Sequence, residues 1–449
     1  MLTASERIGQ FVATVRPHDL PDDIVENVAL RFVDTFAVAI AGSGEAASRI
    51  TREYVRSAGV SGGSSIWGTR ESACPEGAAL ANSVAGHALD YDDVAFPLTG
   101  HPSVVLLPAL ISLGEAGEAT GEDVAAGYYV GYEVAQKVGR VIAATHYARG
   151  WHCTATIGVI GAAAACSHLL RLDAEESAAA IGIAAAQVAG VRRSFGTMAK
   201  PLQAGNAAAA GVRAARLAAL GMTAPLDALD GPSGFVDVYG GGEDLGAELE
   251  RLGESPGELV SNGVFVKKYP CCYDTQRAIE AALELVRERP IDPQDIRAVR
   301  VRVHPTGLTA LMHSRPETGL EGKFSLEYTV SAAVHDRAVG LGTFTDDAVR
   351  RPTIQALLRK VERSEDEGDV PPHRAVVEVA LADGERCIAR VEELPGSPQL
   401  PLSVAELDAK VRDCASYAGR GLNARELIGV AQDWRHRPIS ALVAAATVR

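Results

Sequence analysis

Carboxylates and imidazoles are concentrated in one short stretch of the chain, HALDYDDVAFPLTGHP, at residues 87–102. Its titratable side chains are His87, Asp90, Asp92, Asp93 and His101. Histidine is the side chain best suited to proton transfer near neutral pH, and a neighbouring carboxylate fixes its tautomer and raises its basicity. The stretch is therefore a candidate for acid–base chemistry, although one or two of its aspartates are expected to cap a helix end or a turn instead.

The spacing of these residues does not predict a metal centre. Metal-binding histidines commonly occur as HxxxH or as two histidines with one carboxylate. Here His87 and Asp90 are three residues apart, and His101 lies beyond a proline. We therefore predict no metal ligands.

Two further segments place a basic side chain where a helix is predicted to begin. In RGWHCTATIGVIGAAAA, His152 directly precedes a predicted apolar helix. It is a candidate base or oxyanion partner, and a buried core histidine is the alternative. In GTMAKPLQAGN, Lys200 lies at a helix mouth, where the ammonium group and the helix dipole would together attract a carboxylate. An exposed surface lysine is the alternative.

The segment VFVKKYPCCYDTQRAIEAALELV gathers six polar or thiol side chains ahead of a helix, namely Lys267, Lys268, Tyr269, Cys271, Cys272 and Tyr273. Adjacent cysteines rarely form a disulfide, so we predict thiols that line a pocket. Only 7 of the 43 basic residues are lysines, which makes each lysine a candidate for a place where an ammonium group is needed. The segment EGKFSLEYTV adds Lys323, Ser325 and Tyr328.

Composition predicts a mainly helical protein of two domains. The chain has 449 residues, 47% of them hydrophobic and only 5% aromatic, which favours Ala-rich helices in close contact. A net charge of −14 argues against a nucleic-acid or anionic-membrane partner. Seven cysteines without a CxxC pair, together with the absence of a signal peptide or an apolar span, predict a soluble cytoplasmic protein with free thiols.

The elements that must position these residues change character along the chain. Helical patterns run to about residue 265, with capping residues at Thr120 and Asp173 and a C-terminal Gly221. Residues 266–395 form a smaller α+β domain, with strands in IRAVRVRVHP and a hairpin at ADGE. Residues 396–449 are helical again, and we expect them to return to the domain of residues 1–265, which makes that domain discontinuous.

Five motifs, in chain order, resemble the MmgE/PrpD family: GHALDYDD with HPSVVLLPAL, RGWHCTATIGVIGAAAA, GTMAKPLQAG with APLDALDGPSGF, KKYPCCYDTQRAIEAAL, and GKFSLEYTVSAAV. That family includes 2-methylcitrate dehydratase, cis-aconitate decarboxylase and iminodisuccinate epimerase. The resemblance implies a large discontinuous helical-bundle domain, a smaller α+β lid domain and a homodimer. It also implies an active site between the domains, without a metal or an organic cofactor.

The resemblance assigns roles to residues of these motifs. It implies catalytic roles for Asp90, His101, His152, Lys200 and Tyr328. It implies substrate binding by Lys267 or Lys268 together with Cys272, and we add Tyr273 and Gln203 as substrate-binding candidates. In this interpretation His101, oriented by Asp90, removes a proton α to a carboxylate that Lys200 and His152 stabilise, and Tyr328 or Tyr273 donates a proton. Asp92 and Asp93 are expected to be structural.

The sequence departs from the family pattern at four positions. Many members have Thr at Val94 and His at Gln203 and Gln276, and the decarboxylase has His at Cys272. These departures argue against cis-aconitate decarboxylation. We expect a cofactor-independent lyase of the 2-methylcitrate dehydratase type, acting on a small di- or tricarboxylate. The alternatives are an epimerase or isomerase on a related acid, in a specialised biosynthetic route, and a non-catalytic carboxylate-binding relative.

Overall fold

The structure is a computed structural model that describes residues 2–367, 374–419 and 424–446. Helices dominate it, as expected. They are α1 (Ala4–Thr14), α2 (Asp22–Gly42), α3 (Ala46–Ser57), α4 (Pro75–His87), α5 (Ser103–Gly117), α6 (Gly121–Ala148), α7 (Cys153–Leu169), α8 (Ala174–Ala185), α9 (Ala199–Ala219), α10 (Phe235–Tyr239), α11 (Gly246–Leu249), α12 (Glu258–Ser261), α13 (Tyr273–Glu288), α14 (Gly319–Gly322), α15 (Leu326–Asp336), α16 (Asp346–Val349), α17 (Pro352–Leu358), α18 (Val404–Tyr417), α19 (Ala424–Gln432) and α20 (Ile439–Ala446).

Local sequence explains where the long helices of the first half begin and end. Thr120 forms the predicted capping box with Asp123 at the start of α6, and Asp173, a predicted helix start, forms a capping box with Glu176 at the start of α8. The side chain and the backbone N–H groups satisfy each other reciprocally in such a box. Gly221 follows α9 with a φ of 88°, a left-handed conformation that glycine adopts without strain.

The first and larger hydrophobic core is formed by helices of the N-terminal half of the chain and by the last helices. Small residues allow its central helices to approach closely. Helix α7 is buried along almost its whole length and lies between α6 and α9. A Cβ at Gly131 would lie 2.6 Å from the Gly161 carbonyl oxygen, and one at Gly161 would lie 2.8 Å from that of Gly131. The Ala- and Gly-rich composition of this part of the chain is therefore a packing requirement.

A second hydrophobic core lies around a four-stranded sheet. The strands are β3 (Ile296–Val303), β4 (Val361–Glu365), β5 (Ala375–Leu381) and β6 (Arg386–Val391), after a small ribbon of β1 (Ser64–Ser65) and β2 (Ser72–Ala73). The sheet order is β4-β3-β5-β6, in which β3 and β4 are parallel and the other pairs are antiparallel. Strands β5 and β6 form the predicted hairpin, and helices α13 and α15 belong to the same core.

The last helices contact the first core. Helix α18 and helix α19 pack on α2, and α20 contacts α5. Trp434 is buried against Phe32, with ring centroids 4.8 Å apart, and its indole N–H donates to the Gly121 carbonyl. The C-terminal return to the first core therefore rests on specific buried contacts. In the described part of the chain, no helix has both the length and the hydropathy needed to cross a membrane.

Candidate active site

A cavity of about 90 Å³ lies between the two hydrophobic cores. Its wall combines basic, acidic and aromatic side chains from both halves of the chain. The lining residues are Asp90, Val94, Ala95, Phe96, Thr99, Gly100, His101, Tyr147, His152, Thr154, Phe195, Lys200, Cys272, Tyr273, Asp274, Ala310 and Phe324.

Three helices begin at this wall: α7, α9 and α13. None of their N-cap side chains, at His152, Met198 and Cys272, accepts a hydrogen bond from its own first turn. At α9 the hydroxyl group of Thr197 accepts the first N–H instead. Helix N-termini carry unpaired N–H groups and partial positive charge, so α7 and α13 offer this cavity two sites of attraction for an anion.

Asp90 is buried and held by two ammonium groups. Nζ of Lys200 donates to Oδ1 of Asp90 at 2.5 Å, and Nζ of Lys267 lies 3.3 Å from the same oxygen. Burial disfavours the ionised carboxyl, but the two lysines outweigh burial and lower the pKa of Asp90. Asp90 also has a left-handed φ of 53°, which is uncommon outside glycine. The carboxylate is therefore a fixed, ionised anchor for Lys200 at the cavity wall.

Lysines also hold the backbone on which Asp90 lies. Three consecutive carbonyl groups each accept a hydrogen bond from a different ammonium group: Leu89 from Lys323 at 2.7 Å, Asp90 from Lys267 at 2.7 Å, and Tyr91 from Lys410 at 2.9 Å. Lys410 additionally pairs with the buried Asp34 at 2.7 Å. With Lys200, four of the seven lysines converge on residues 89–91, and the scarcity of lysine in the sequence was a useful signal.

His101 is positioned by Asp92 more closely than by Asp90. Its Nδ1 lies 3.0 Å from Oδ2 of Asp92, whereas its Nε2 lies 3.9 Å from Oδ1 of Asp90. The same Asp92 oxygen lies 2.8 Å from Nδ1 of His87. Asp92, which the sequence analysis expected to be structural, therefore contacts both imidazoles. Burial lowers the pKa of His101 to about 3, so its imidazole is neutral at pH 7. We assign its proton to Nδ1, which leaves Nε2 as the basic nitrogen.

The tautomer of His152 follows from its partner, Gln203. The amide nitrogen of Gln203 donates to the Val191 carbonyl at 3.1 Å and to the hydroxyl of Ser194 at 2.9 Å. Its oxygen therefore accepts from Nδ1 of His152, at 2.8 Å. Burial, reinforced by Lys200, lowers the pKa of His152, so this neutral ring presents the lone pair of Nε2 rather than an N–H donor.

Several residues named from the sequence do not line the cavity. Tyr328 donates its hydroxyl to the Thr343 carbonyl at 2.5 Å. Lys268 pairs with Glu280 at 3.0 Å. Lys267, predicted to bind substrate, is buried against Asp90 behind the wall instead. Gln203 lies behind His152 rather than in the wall, and the amide of Gln276 bonds to the backbone of Tyr269 and Cys271. The contact with Asp90 is therefore made by the first of the two adjacent lysines.

Sequence reasoning passed over several lining residues. Thr154 accepts from the backbone N–H of His101 at 3.1 Å and ties the two histidine segments together. Phe195 and Phe324 flank the ammonium of Lys200, which lies 5.3 Å and 5.1 Å from their ring centroids. Asp274, in the first turn of α13, is the second carboxyl of the wall. First-turn acidic residues are common in helices, so its position in the sequence carried no signal of a site.

The side chains of His87, Asp90, Asp92 and His101 approach each other closely enough to suggest a cation site, with one atom of each within 4.8 Å of the others. Ammonium groups from two lysines already contact the Asp90 carboxylate. Their charge opposes a metal ion beside that carboxylate. The donor set therefore fits an internal ion-pair network better than a metal centre, and the absence of a metal remains our prediction.

The fold and the site define a class: a mainly helical protein with two cores and a small, anion-attracting cavity between them. The MmgE/PrpD N-terminal domain matches residues 6–248, and the MmgE/PrpD C-terminal domain matches residues 269–436. The chain belongs to the MmgE/PrpD family, as the motifs indicated.

Several characterised proteins are similar over most of their length. Cis-aconitate decarboxylase of Homo sapiens is 28% identical over 417 residues, which cover 88% of this chain and 84% of that protein. Cis-aconitate decarboxylase of Aspergillus terreus is 27% identical over 381 residues, covering 80% and 78%. A cis-aconitate decarboxylase-like protein of Aspergillus oryzae is 27% identical over 430 residues, covering 90% and 89%. The similarity supports a lyase at the level of the family.

Proposed function

We propose that this protein is a cofactor-independent lyase that removes a proton α to a carboxylate of a small organic acid and expels a β-hydroxyl group as water. One observation carries the proposal: a neutral histidine, the Lys200 ammonium and the N-termini of α7 and α13 line one small cavity. Removing an α-proton builds negative charge on the adjacent carboxylate, and cations and N–H groups stabilise that charge. A base and an anion-stabilising wall in one cavity are what such a reaction needs.

The reaction begins with the substrate carboxylate against Lys200. Nε2 of His101 accepts the α-proton, and Asp92 stabilises the imidazolium that forms because its carboxylate lies 3.0 Å from Nδ1. Lys200 and the helix N-termini stabilise the enediolate. Two lysine contacts keep Asp90 ionised, so this carboxylate holds the ammonium of Lys200 in place and does not exchange protons itself.

The leaving hydroxyl needs a proton from a second group. We do not assign this role to Tyr328, because its hydroxyl donates to a backbone carbonyl and the residue does not line the cavity. Tyr273 lines the cavity, and burial raises its pKa to about 12, so the phenol is protonated at pH 7. We assign Tyr273 as the proton donor: the C–O bond breaks, the phenol proton joins the leaving oxygen, and water departs.

Isomerisation is the second candidate, and the pair of neutral imidazoles favours it. Both His101 and His152 present a free Nε2 in our tautomer assignment, and a proton removed by one base can be returned to the opposite face by the conjugate acid of the other. The Gln203 and Gln276 departures are less informative than expected, since neither side chain lines the cavity. Val94 and Cys272 do line it, and they remain the argument against decarboxylation.

Product analysis of the purified protein tests the proposal. Malate, citrate, 2-methylcitrate, cis-aconitate and iminodisuccinate-type acids are incubated with it and followed by proton NMR. A new olefinic signal from a hydroxylated acid is the expected result, and a chelator should not abolish it. Stereoinversion or double-bond migration without water loss would favour the isomerase. Loss of carbon dioxide from cis-aconitate, or activity that disappears with the chelator, would contradict the proposal. We also propose a homodimer, which sedimentation measures directly.

A further inference from the structure

The two carboxylates of the cavity wall have different surroundings. Asp90 is paired with Lys200 and Lys267. Among the described residues, by contrast, no cationic side chain forms an ion pair with Asp274, and the Cys272 thiol, with its sulfur 4.0 Å from Oδ2, is the polar side-chain group that contacts it. Asp274 therefore lies at the cavity as an acceptor without a matched donor.

The two arginines whose charges act on Asp274 form their hydrogen bonds with other groups. Nε of Arg277 donates to the Glu392 carbonyl at 2.8 Å. Arg192 donates to the carbonyls of Tyr147 and Thr309, at 2.7 Å and 2.6 Å. Burial raises the pKa of Asp274 to about 6, while Arg277, Lys267 and Arg192 act in the opposite direction without overcoming it. The protein leaves the charge of this carboxylate largely uncompensated.

An uncompensated carboxylate discriminates between ligands. A second carboxylate beside it would suffer like-charge repulsion, whereas an ammonium or hydroxyl group would supply the missing donor. The cavity wall already provides Lys200 and the N-terminus of α7 for one acidic end of a ligand. The carboxylate of Asp274 is thus suited to a different kind of group on the same molecule.

We propose that Asp274 is a specificity-determining residue that selects an organic acid carrying a hydrogen-bond donor, an ammonium or hydroxyl substituent, and rejects one with a further carboxylate there. The substrate class is then amino- or hydroxy-substituted carboxylic acids rather than unsubstituted tricarboxylates. This inference rests on the proposed carboxylate site at Lys200.

Four ligands that differ only at carbon 3 of glutarate test the inference: glutarate, 3-hydroxyglutarate, 3-aminoglutarate and tricarballylate. Their dissociation constants are measured by titration calorimetry with the wild-type protein. We expect 3-aminoglutarate or 3-hydroxyglutarate to bind at least ~10-fold more tightly than tricarballylate, a factor equivalent to one favourable polar contact. The hydroxyl and ammonium ligands together show whether charge or hydrogen bonding dominates.

The Asp274→Asn variant removes the charge and keeps the shape. We expect the preference to fall to within ~2-fold, mostly through tighter binding of tricarballylate. Asp23→Asn is the matched control because Asp23 is an exposed first-turn aspartate of α2, and it should leave the preference unchanged. Circular dichroism of Asp274→Asn and of a second variant, Asp274→Ser, checks that both are folded.

The possible results separate this inference from the proposed function. Binding of glutarate that Lys200→Met abolishes would support the carboxylate site. If the wild type then prefers tricarballylate, or if Asp274→Asn does not alter the order of the four affinities, the role of Asp274 is overturned and the carboxylate site stands. If none of the four acids binds the wild-type protein, both are overturned. A donor preference that disappears in Asp274→Asn and persists in Asp23→Asn establishes the specificity role.

Discussion

Helices α6 and α8 begin in a different way from helices α7 and α13, which begin at the cavity. Thr120 and Asp173 close the first pair with capping boxes, at positions that the sequence predicts. His152 and Cys272 occupy the same N-cap position in the second pair and form no such bond. A closed N-terminus contributes stability, whereas an open one at a cavity offers N–H groups to a ligand. In our proposal the uncapped starts that bind an anion are those that lie at the cavity, unlike the uncapped starts of α2 and α3.

The largest expected effect separates a histidine of the site from one outside it. His101→Ala should lower kcat/KM by about 10²- to 10⁴-fold because it removes the base. The melting temperature should stay within a few degrees. His168→Ala is the control, since that buried ring contacts the Val15 carbonyl at the far end of α7 and should leave kcat/KM unchanged. Equal losses of activity in His101→Ala and His168→Ala would contradict the assignment of His101 as the base.

Breaking the support of Asp90 should have a large effect on stability. Lys410→Met leaves the buried Asp34 carboxylate and the Tyr91 carbonyl without their ammonium partner. Removing one member of a buried ion pair costs about 3–5 kcal/mol, so we expect the free energy of unfolding to fall by this amount. Urea denaturation measures it. Lys268→Met is the control, since Lys268 is partly exposed, and a loss as large in that variant would contradict the assigned role of Lys410.

The pH dependence of stability tests the surroundings of Asp274. Its pKa is about 6 in the folded protein and about 3.8 in the unfolded chain, so the folded state binds more protons between these values. The contribution of Asp274 to the free energy of unfolding is fully present below pH 3.8 and is lost as the pH rises through 6. Asp274→Asn should therefore gain stability over wild type between pH 4 and pH 7, by about 2–3 kcal/mol. A difference that stays constant over this range would contradict the assignment.

The smallest effect comes from exchanging the two kinds of helix start. Cys272→Ser introduces a capping hydroxyl at α13, so we expect stability to rise by about 0.5–1 kcal/mol and carboxylate affinity to fall. Thr120→Ala removes a cap from α6, which should cost about 1 kcal/mol and leave affinity unchanged. Thermal unfolding and calorimetric titration measure both quantities. A lower carboxylate affinity in Thr120→Ala, with an unchanged affinity in Cys272→Ser, would contradict the difference drawn between the two kinds of helix start.

The sequence was informative about which segments meet but not about which side chains within them face the ligand. Local capping chemistry determined the starts of α6 and α8, and the motifs identified Asp90, His101, His152 and Lys200, all of which line the cavity. The choice between Lys267 and Lys268 depends on how an irregular segment before α13 is packed, which no local pattern encodes.

Tertiary contacts also explain the remaining differences. Tyr328 was expected in the site, yet its hydroxyl reaches Thr343, a partner fifteen residues away that periodicity cannot identify. The contacts of Asp92 are tertiary as well, since the fold brings both His87 and His101 to one of its oxygens. Asp274 resembled an ordinary first-turn aspartate until the cavity was known.

Solvent deuterium incorporation tests the central claim most directly. The protein is incubated in D₂O with the organic acids of the panel, and the α-hydrogen signals are followed by proton NMR for the wild type, His101→Ala and Lys200→Met. We expect exchange or loss of an α-hydrogen with the wild type and neither with the two variants. Exchange that continues at the wild-type rate in His101→Ala, or a carboxylate that binds the wild type without any α-hydrogen reacting, would contradict it.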